Sequence, residues 1–305
     1  MAVFQLGPII KNRREELHLS QEDLADGICS VPTLSRIENG ERMPTKNHFE
    51  MLMQRLGYSA ISLDYFTDKQ DFLIHELKFK IRHAYIEEQF PLAKNLLATL
   101  EVTLYDPTPT DKQFVLLYRT LLEQTQIPNE MRLSDLESAL LLTCPKYKNN
   151  QIPRVLSYEE IIILNNVAIC YDVLGQQERA IFILSALKDY YNYHIVNSEE
   201  ALRTQIMVLY NLSKYLGLSE KYDECIETCD EGIQIARNSG RCMHLGKLLF
   251  NRAWALLQRD GPNDGNSAKQ TLKQAFGAAL SMDNQHEMKF FRQYYAEIFK
   301  EELSI

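Results

Sequence analysis

The chain has 305 residues, 45% of them hydrophobic, and a formal net charge of −8. This length and apolar content allow two or more domains with substantial cores. The acidic balance argues against indiscriminate nucleic-acid binding, so any DNA contact must come from a few well-placed side chains. The 12 glycines and 10 prolines are few for this length, which favours an all-helical protein.

The start of the chain and its hydropathy predict a cytoplasmic protein. The opening MAVFQLGPIIKNRR lacks the basic and apolar regions of a signal peptide, and no run of 18 apolar residues occurs. The six cysteines are scattered, without a CxxC pair. Core packing in a reducing compartment is the favoured role for them. The spacing of Cys225 and Cys229 also leaves a metal or disulfide role open.

A helix-turn-helix is predicted from Leu19 to Gly40, in the string LSQEDLADGICSVPTLSRIENG. Ser20 is a candidate N-cap, with Asp23 three residues later, so a short helix is expected to begin directly after it. A second helix is expected from Val31 to Asn39, closed by a glycine that tolerates the left-handed conformation. The second helix of such a unit fits the major groove of DNA.

The predicted head spans residues 1–57 and has the five-helix type of helix-turn-helix fold. Apolar residues at helical spacing predict one helix from Phe4 to Leu17 before the motif and another from Lys46 to Leu56 after it. Residues 58–71 are predicted to form a connector that packs on the rest of the protein, because it carries several large apolar side chains.

Beyond the connector, the sequence repeats a spacing of small and apolar residues. The clearest copy is Leu164, Ala168, Tyr171, Ala180, Leu184 and Leu187. The same spacing recurs from Leu77, from Leu209 and, with a three-residue insertion, from Leu249, and a weaker copy spans 111–143. Small residues at fixed places let paired helices approach closely, as in tetratricopeptide repeats. We therefore expect five such helix pairs over 72–285, forming a right-handed superhelix.

The tail, residues 286–305, is predicted to form a helix. Its apolar residues fall on one face, which suits either capping of the repeat stack or pairing with a second subunit.

The inward positions of the repeat frame suggest a peptide-binding surface. Three repeats place asparagine at the same inward site, and an asparagine amide donates to and accepts from a peptide backbone at once. The aromatic residues nearby suit side-chain pockets, and the basic residues suit a carboxylate. A structural role for the asparagines is the alternative. The predicted peptide-binding residues are Lys78, Phe79, Arg82, Asn165, Asn166, Tyr210, Asn211, Lys214, Phe250, Asn251 and Trp254.

On the head, we assign the readout of base edges chiefly to Arg36, because its guanidinium group can form two hydrogen bonds with a guanine. Nearby hydroxyl groups and a contact with a thymine methyl group are expected to contribute as well. Other polar residues nearby suit phosphates. The alternatives are that Arg36 and Glu38 are merely solvated, and that Asn39 and Gly40 form a C-cap. The predicted DNA-binding residues are Gln21, Ser30, Val31, Pro32, Thr33, Arg36, Asn39 and Arg42.

Catalysis is not expected, and no cofactor or metal is predicted. The seven histidines are dispersed, and no HExxH, GxGxxG, GxxxxGK[ST] or GxSxG string occurs.

A helix-turn-helix with the string SRIENG, followed by five tetratricopeptide-like helix pairs, resembles the RRNPP group of peptide-pheromone regulators of Gram-positive bacteria, and its PlcR-like branch most. The resemblance implies a homodimeric, quorum-sensing transcription regulator that binds double-stranded DNA and is controlled by a short oligopeptide on the concave face. The family's peptide-binding asparagines fall here on Asn166, Asn211 and Asn251, and its basic anchors on Lys78 and Lys80. The reading helix departs from the usual pattern by beginning with Val31 and Pro32.

Two other functions remain open at the level of sequence. One is a scaffold that binds a protein partner through its repeats, with the head as a constitutive DNA anchor. The other is a repressor that needs no ligand. A peptide site requires a narrow groove with aligned asparagines, whereas a protein partner requires a broad patch.

Overall fold

The computed structural model describes residues 6–56, 69–149, 151–193, 199–240, 242–261 and 266–303. Within these ranges the regular structure is helical and no strand occurs, which confirms the predicted all-helical class. The chain divides into two compact units, Met1–Leu174 with Asn192–Ile195, and Gly175–Tyr191 with Val196–Ile305. No helix in the described ranges has the length and apolar character needed to span a bilayer.

The first unit begins with the head, which has four helices in residues 6–56. They are α1 (Leu6–Glu16), α2 (Gln21–Ala25), α3 (Val31–Glu38) and α4 (Lys46–Arg55). Each lies within one or two residues of its predicted bounds. No fifth helix occurs within residues 6–56, the described part of the head. Most of the predicted connector 58–71 falls on residues 57–68, which lie outside the described residues.

Eleven further α-helices follow in the described residues. They are α5 (Lys69–Ile86), α6 (Phe90–Thr103), α7 (Pro109–Leu122), α8 (Asn129–Leu141), α9 (Tyr158–Val173), α10 (Gln177–Tyr193), α11 (Glu199–Leu218), α12 (Tyr222–Asn238), α13 (Leu245–Asp260), α14 (Asn266–Ser281) and α15 (Gln285–Phe299). In the first unit α5 packs on α6 and α7 on α8, and in the second unit α11 packs on α12, α13 on α14 and α14 on α15.

The residues that define the predicted repeat are buried. All six positions are buried in each of the four aligned copies, including the small residues Ala93, Ala180 and Ala268. At Gly232 on α12 an added Cβ would lie 2.9 Å from Leu248 on α13. A small residue at this place is therefore required for the helices to pack as closely as they do.

The core of the head includes a residue from the repeat domain. Its buried cluster contains Ile10, Leu24, Leu34 and Leu52 from the four head helices, and also Val155, which precedes α9. The apolar interior is therefore continuous between the head and the segment that leads into the third helix pair.

Candidate DNA-binding and peptide-binding sites

The helix-turn-helix is fixed by caps at the starts of both of its helices. Ser20 and Asp23 form the predicted capping box of α2, with each side chain accepting a bond from the other's backbone N–H. Ser30 caps α3, since its hydroxyl accepts from the N–H of Thr33 at 3.4 Å. Pro32 lies in the first turn of α3, where a missing N–H costs nothing. Ser30, predicted to help read bases, thus has a structural function as well.

The end of the reading helix α3 is a Schellman motif. Gly40 has φ +72°, and its N–H donates to the carbonyl of Ile37 at 3.0 Å, while the N–H of Glu41 donates to the carbonyl of Arg36 at 2.9 Å. Asn39 is the C-cap residue and its side chain is exposed. The C-cap interpretation of Asn39 and Gly40 is therefore correct for their backbone.

The structure brings most of the predicted DNA-binding residues to one exposed stretch of the head. Val31, Pro32, Arg36, Asn39 and Arg42 are all exposed on α3 or just after it. Leu34 and Ile37 on the same helix are buried. Among the residues that the structure describes, none pairs with the guanidinium of Arg36.

Two of the sequence interpretations for the head need correction. Glu38 is buried rather than solvated, and the guanidinium of Arg14 binds it in a bidentate pair, with Nε–Oε1 at 2.6 Å and Nη2–Oε2 at 2.9 Å. The hydrogen bond to Glu38 raises the pKa of Arg14 above its usual value. Gln21, expected to hold a phosphate, donates its amide Nε2 to Glu38 at 2.7 Å instead.

In the first unit, the predicted basic anchors of a peptide are already paired with carboxylates of the chain. Lys78 Nζ on α5 lies 2.5 Å from Asp111 Oδ1 on α7. Arg82 Nε, also on α5, donates to Glu159 Oε1 on α9 at 2.9 Å. Arg82 also lies over the ring of Phe114, with 5.4 Å from its guanidinium carbon to the ring centroid. These contacts join the first helices of three successive pairs.

The charge state of this cluster follows from its burial and its pairing. Burial alone would raise the pKa of Asp111, but the charge of Lys78 and its hydrogen bond lower the pKa below the usual value. Asp111 therefore remains ionised opposite Lys78 at neutral pH.

The other predicted residues of the first unit differ in accessibility. Phe79 is 56% exposed and stacks on His83. Asn166 is half-buried, and its Nδ2 donates to the carbonyl of Ile162 on its own helix at 2.9 Å. Asn165 is 2% exposed and therefore serves the interior.

In the second unit, Asn251 links two helices. Its Nδ2 on α13 donates to Ser213 Oγ on α11 at 3.0 Å, and Asn211 on α11 is buried. Tyr210 stacks on His244, with ring centroids 5.0 Å apart. Burial and the nearby charge of Lys247 lower the pKa of His244 to about 4, so this ring is neutral at pH 7.

The predicted aromatic residues of α13 are partly covered by other elements of the second unit. Phe250 packs against three rings of α15, namely Phe290, Phe291 and Tyr294, at centroid distances of 5.0, 5.6 and 5.0 Å. Helix α15 thus covers the last repeat, in agreement with a capping role. Trp254 is half-buried, with its ring edge-on to Tyr222, whereas Lys214 is exposed.

A buried junction between the head and the repeats was missed by sequence reasoning. Arg55 on α4 is 1% exposed. Its guanidinium donates to the backbone carbonyl of Asp26, to that of Thr143 at 3.1 Å and to Glu160 Oε1 at 3.2 Å. The pattern Ser157-x-x-Glu160 is a capping-box signal that predicts the start of α9. Nothing in the sequence pairs that glutamate with Arg55.

The helices and the exposed reading surface define a helix-turn-helix protein with an appended helical-repeat domain. Two family models match this division. Residues 10–63 match the model described as Helix-turn-helix, and residues 122–293 match the RNPP family C-terminal domain. Since the second match spans more than half of the chain, the protein belongs to the RNPP family, as its resemblance indicates. No sequence among the curated proteins matches it.

Similar solved structures cover nearly the whole chain. PlcR of Bacillus thuringiensis, in complex with the peptide PapR7 and DNA, is 18% identical, with a TM-score of 0.58 and 95% of this chain and 98% of that chain covered. The apo form of the competence regulator ComR from Streptococcus vestibularis is also 18% identical, with a TM-score of 0.57 and coverage of 96% and 97%. At this identity the likeness confirms the fold, namely a helix-turn-helix followed by helical repeats.

Proposed function

We propose that the protein is a transcription regulator whose DNA binding is controlled by a short peptide bound to its repeat domain. The observation that carries this proposal is Arg36, exposed on a capped reading helix and without a partner among the described residues, in a chain that also carries an RNPP family C-terminal domain. PlcR has been solved with a peptide and DNA, and so has ComR of S. thermophilus, which is 15% identical with a TM-score of 0.53. The same pair of ligands is proposed here.

On the DNA side, Arg36 reads a guanine, and Val31 contacts a thymine methyl group. Ser30, Pro32 and Thr33 lie at the start of the same helix. Asn39 and Arg42 hold phosphates at its end. Gln21 has a supporting role in this proposal, because its amide nitrogen already donates to Glu38.

On the peptide side, the asparagines remain the proposed backbone contacts; Asn166 and Asn251 are half-buried, whereas Asn165 and Asn211 are buried. Lys78 and Arg82 bind the peptide's carboxyl end only if that carboxylate displaces Asp111 or Glu159. Phe79 and Lys214 are exposed and are proposed as contacts for peptide side chains. Tyr210 and Trp254 are half-buried and are still proposed to line pockets for peptide side chains. Phe250 is also half-buried, and its accessible part is proposed to contact the peptide.

The protein is further proposed to act as a cytoplasmic homodimer without enzymatic activity. A two-fold dimer requires an operator with two related half-sites, about one or two DNA turns apart. Selection of binding sequences from a random DNA library gives the operator and its symmetry.

The decisive experiment is a titration of that operator by fluorescence anisotropy, at fixed salt, with and without candidate peptides. The probes are synthetic peptides from the carboxyl ends of short secreted reading frames beside the gene. The proposal expects one of these peptides to change operator affinity at least tenfold. It also expects Asn166→Ala to weaken the binding of that peptide. Unchanged operator affinity with every peptide, together with no heat of peptide binding in calorimetry, would contradict it.

The self-paired basic residues specifically favour a second candidate, a repressor that needs no ligand. Lys78 and Arg82 are neutralised within the chain, so no carboxylate from outside is needed to balance them. In this case operator binding is tight without peptide, and no candidate peptide changes operator affinity.

A further inference from the structure

The first turn of α9 carries two neighbouring carboxylates that bind different parts of the first unit. Glu159 pairs with Arg82 of α5, a residue of the proposed peptide surface. Glu160, the next residue, pairs with Arg55 of the DNA-binding head. Both glutamates are buried, at 5% and 1% exposure. A residue that contacts the proposed peptide surface and a residue that contacts the head are therefore adjacent in the sequence.

The contact on the head side is extensive. Arg55 binds Glu160 and also the carbonyl oxygens of Asp26 and Thr143, so one guanidinium joins α4, the turn after α2 and the segment after α8. Gly27 adds a close approach here, because a Cβ at this residue would lie 2.0 Å from the carbonyl oxygen of Thr143. The head is therefore packed directly on the repeats.

Glu160 has little freedom to move independently of α9. Its Oε2 accepts from the N–H of Ser157 at 2.7 Å in the capping box of α9, and its Oε1 accepts from the hydroxyl of Thr143 at 2.6 Å. Gln113 of α7 donates to that hydroxyl oxygen at 2.6 Å. A displacement of the start of α9 must therefore either move Arg55 or break buried hydrogen bonds, which is costly.

On the repeat side, Glu159 is held by the forked guanidinium of Arg82, which also lies over the rings of Phe114 and Tyr158. A carboxylate that binds Arg82 from outside has to displace Glu159 from this position. Such a displacement acts on the helical turn that anchors the head.

We propose that the first turn of α9 couples the peptide surface to the DNA-binding head, with Glu159 responding to the state of Arg82 and Glu160 positioning the head through Arg55. The same mounting leaves Arg36 exposed on the reading helix. Control of the head by a peptide through this coupling rests on the proposed function. The coupling itself requires no peptide.

Hydrogen exchange of the full-length protein, followed by mass spectrometry, tests the coupling without any peptide. In Arg82→Met, amides of residues 24–28 and 51–56 in the head are expected to exchange about tenfold faster, the change expected when a charged hydrogen bond is lost. Arg119→Met is the matched control. It removes an exposed ion pair with Glu101 of α6 and is expected to leave head exchange unchanged.

Two further variants keep the test decisive if Arg82→Met loosens the whole fold. Arg82→Lys keeps the charge and is expected to restore most of the head's protection. Glu160→Gln removes the charge opposite Arg55 at constant size, and it should speed exchange in the same head segments and at the start of α9. Faster exchange confined to α5 and α7 in Arg82→Met, with head protection as in the control, would overturn the coupling. That result would leave peptide binding and DNA binding untouched.

Discussion

The two faces of the head use arginine in opposite ways. On the reading face Arg36 is exposed, and within the described residues its side chain has no partner. On the junction face Arg55 is 1% exposed and is bound by Glu160 and by backbone carbonyls. A buried charge must be compensated by the chain itself, whereas a charge meant for phosphates or bases is left in solvent until DNA arrives. The comparison separates residues that hold the head from residues that let it bind.

The largest effect is expected from Glu160→Gln, because it leaves Arg55 buried without its counter-charge. We expect a loss of about 3–5 kcal/mol in the free energy of unfolding at pH 7, measured by urea denaturation.

The pH dependence of that loss is a direct check. Burial alone would raise the pKa of Glu160, but Arg55 and hydrogen bonds from Thr143 and Ser157 lower it below 4.5. A carboxylate with a lowered folded pKa stabilises above its unfolded pKa, and this contribution is lost as the pH falls below 4.5. The stability difference between wild type and Glu160→Gln should therefore shrink in acid. A difference that stays constant from pH 7 to pH 3 would show that the ion pair contributes nothing.

Gly27→Ala is expected to be nearly as damaging. This residue has φ +70°, and its new methyl group would lie 2.0 Å from the carbonyl oxygen of Thr143. The strained backbone and the clash together should cost about 3 kcal/mol. Gly40→Ala is the matched control, since it has φ +72° with no atom within 4 Å, and should cost about 1 kcal/mol. Equal melting temperatures for the two variants would refute the close packing of head and repeats.

A smaller effect is expected from Asn251→Ala, which removes the hydrogen bond to Ser213 between α13 and α11. The expected loss of stability is about 1–2 kcal/mol. Asn166→Ala should cost less than 1 kcal/mol, because its amide donates only within its own helix. Thermal unfolding of both variants distinguishes a structural asparagine from a binding one. If Asn166→Ala proves more destabilising than Asn251→Ala, Asn166 is the structural asparagine and Asn251 the binding one.

The smallest effect on stability is expected from Arg36→Ala, within about 0.5 kcal/mol of wild type. Its operator affinity should nevertheless fall by about 1–3 kcal/mol at fixed salt. Arg119→Ala in the repeats should change neither quantity. Undiminished operator affinity in Arg36→Ala would remove this residue from the reading surface.

Most of the fold follows from local patterns in the sequence. The capping box at Ser20, the glycine at Gly40 and the spacing from Leu164 to Leu187 each depend on residues close together in the chain. Helix bounds and buried faces can therefore be predicted from them, and the structure agrees.

The sites are harder to predict, because their contacts join distant residues. Arg55 and Glu160 are 105 positions apart, and Arg82 and Glu159 are 77 apart. Repeat position alone predicts an open basic group at Arg82 but cannot reveal that a later helix supplies its carboxylate. Equally, the position of Phe250 gives no sign that α15 covers it.

The burial of Glu38 has a consequence for specificity. This glutamate belongs to the SRIENG string, yet it binds Arg14 and Gln21 beneath the reading surface. Helix α3 therefore contains an internal brace at Glu38 and, at Thr33, Ser35 and Arg36, side chains that are not part of that brace. Grafting other residues at those three places, with the brace intact, should yield heads of the same architecture that recognise different operators.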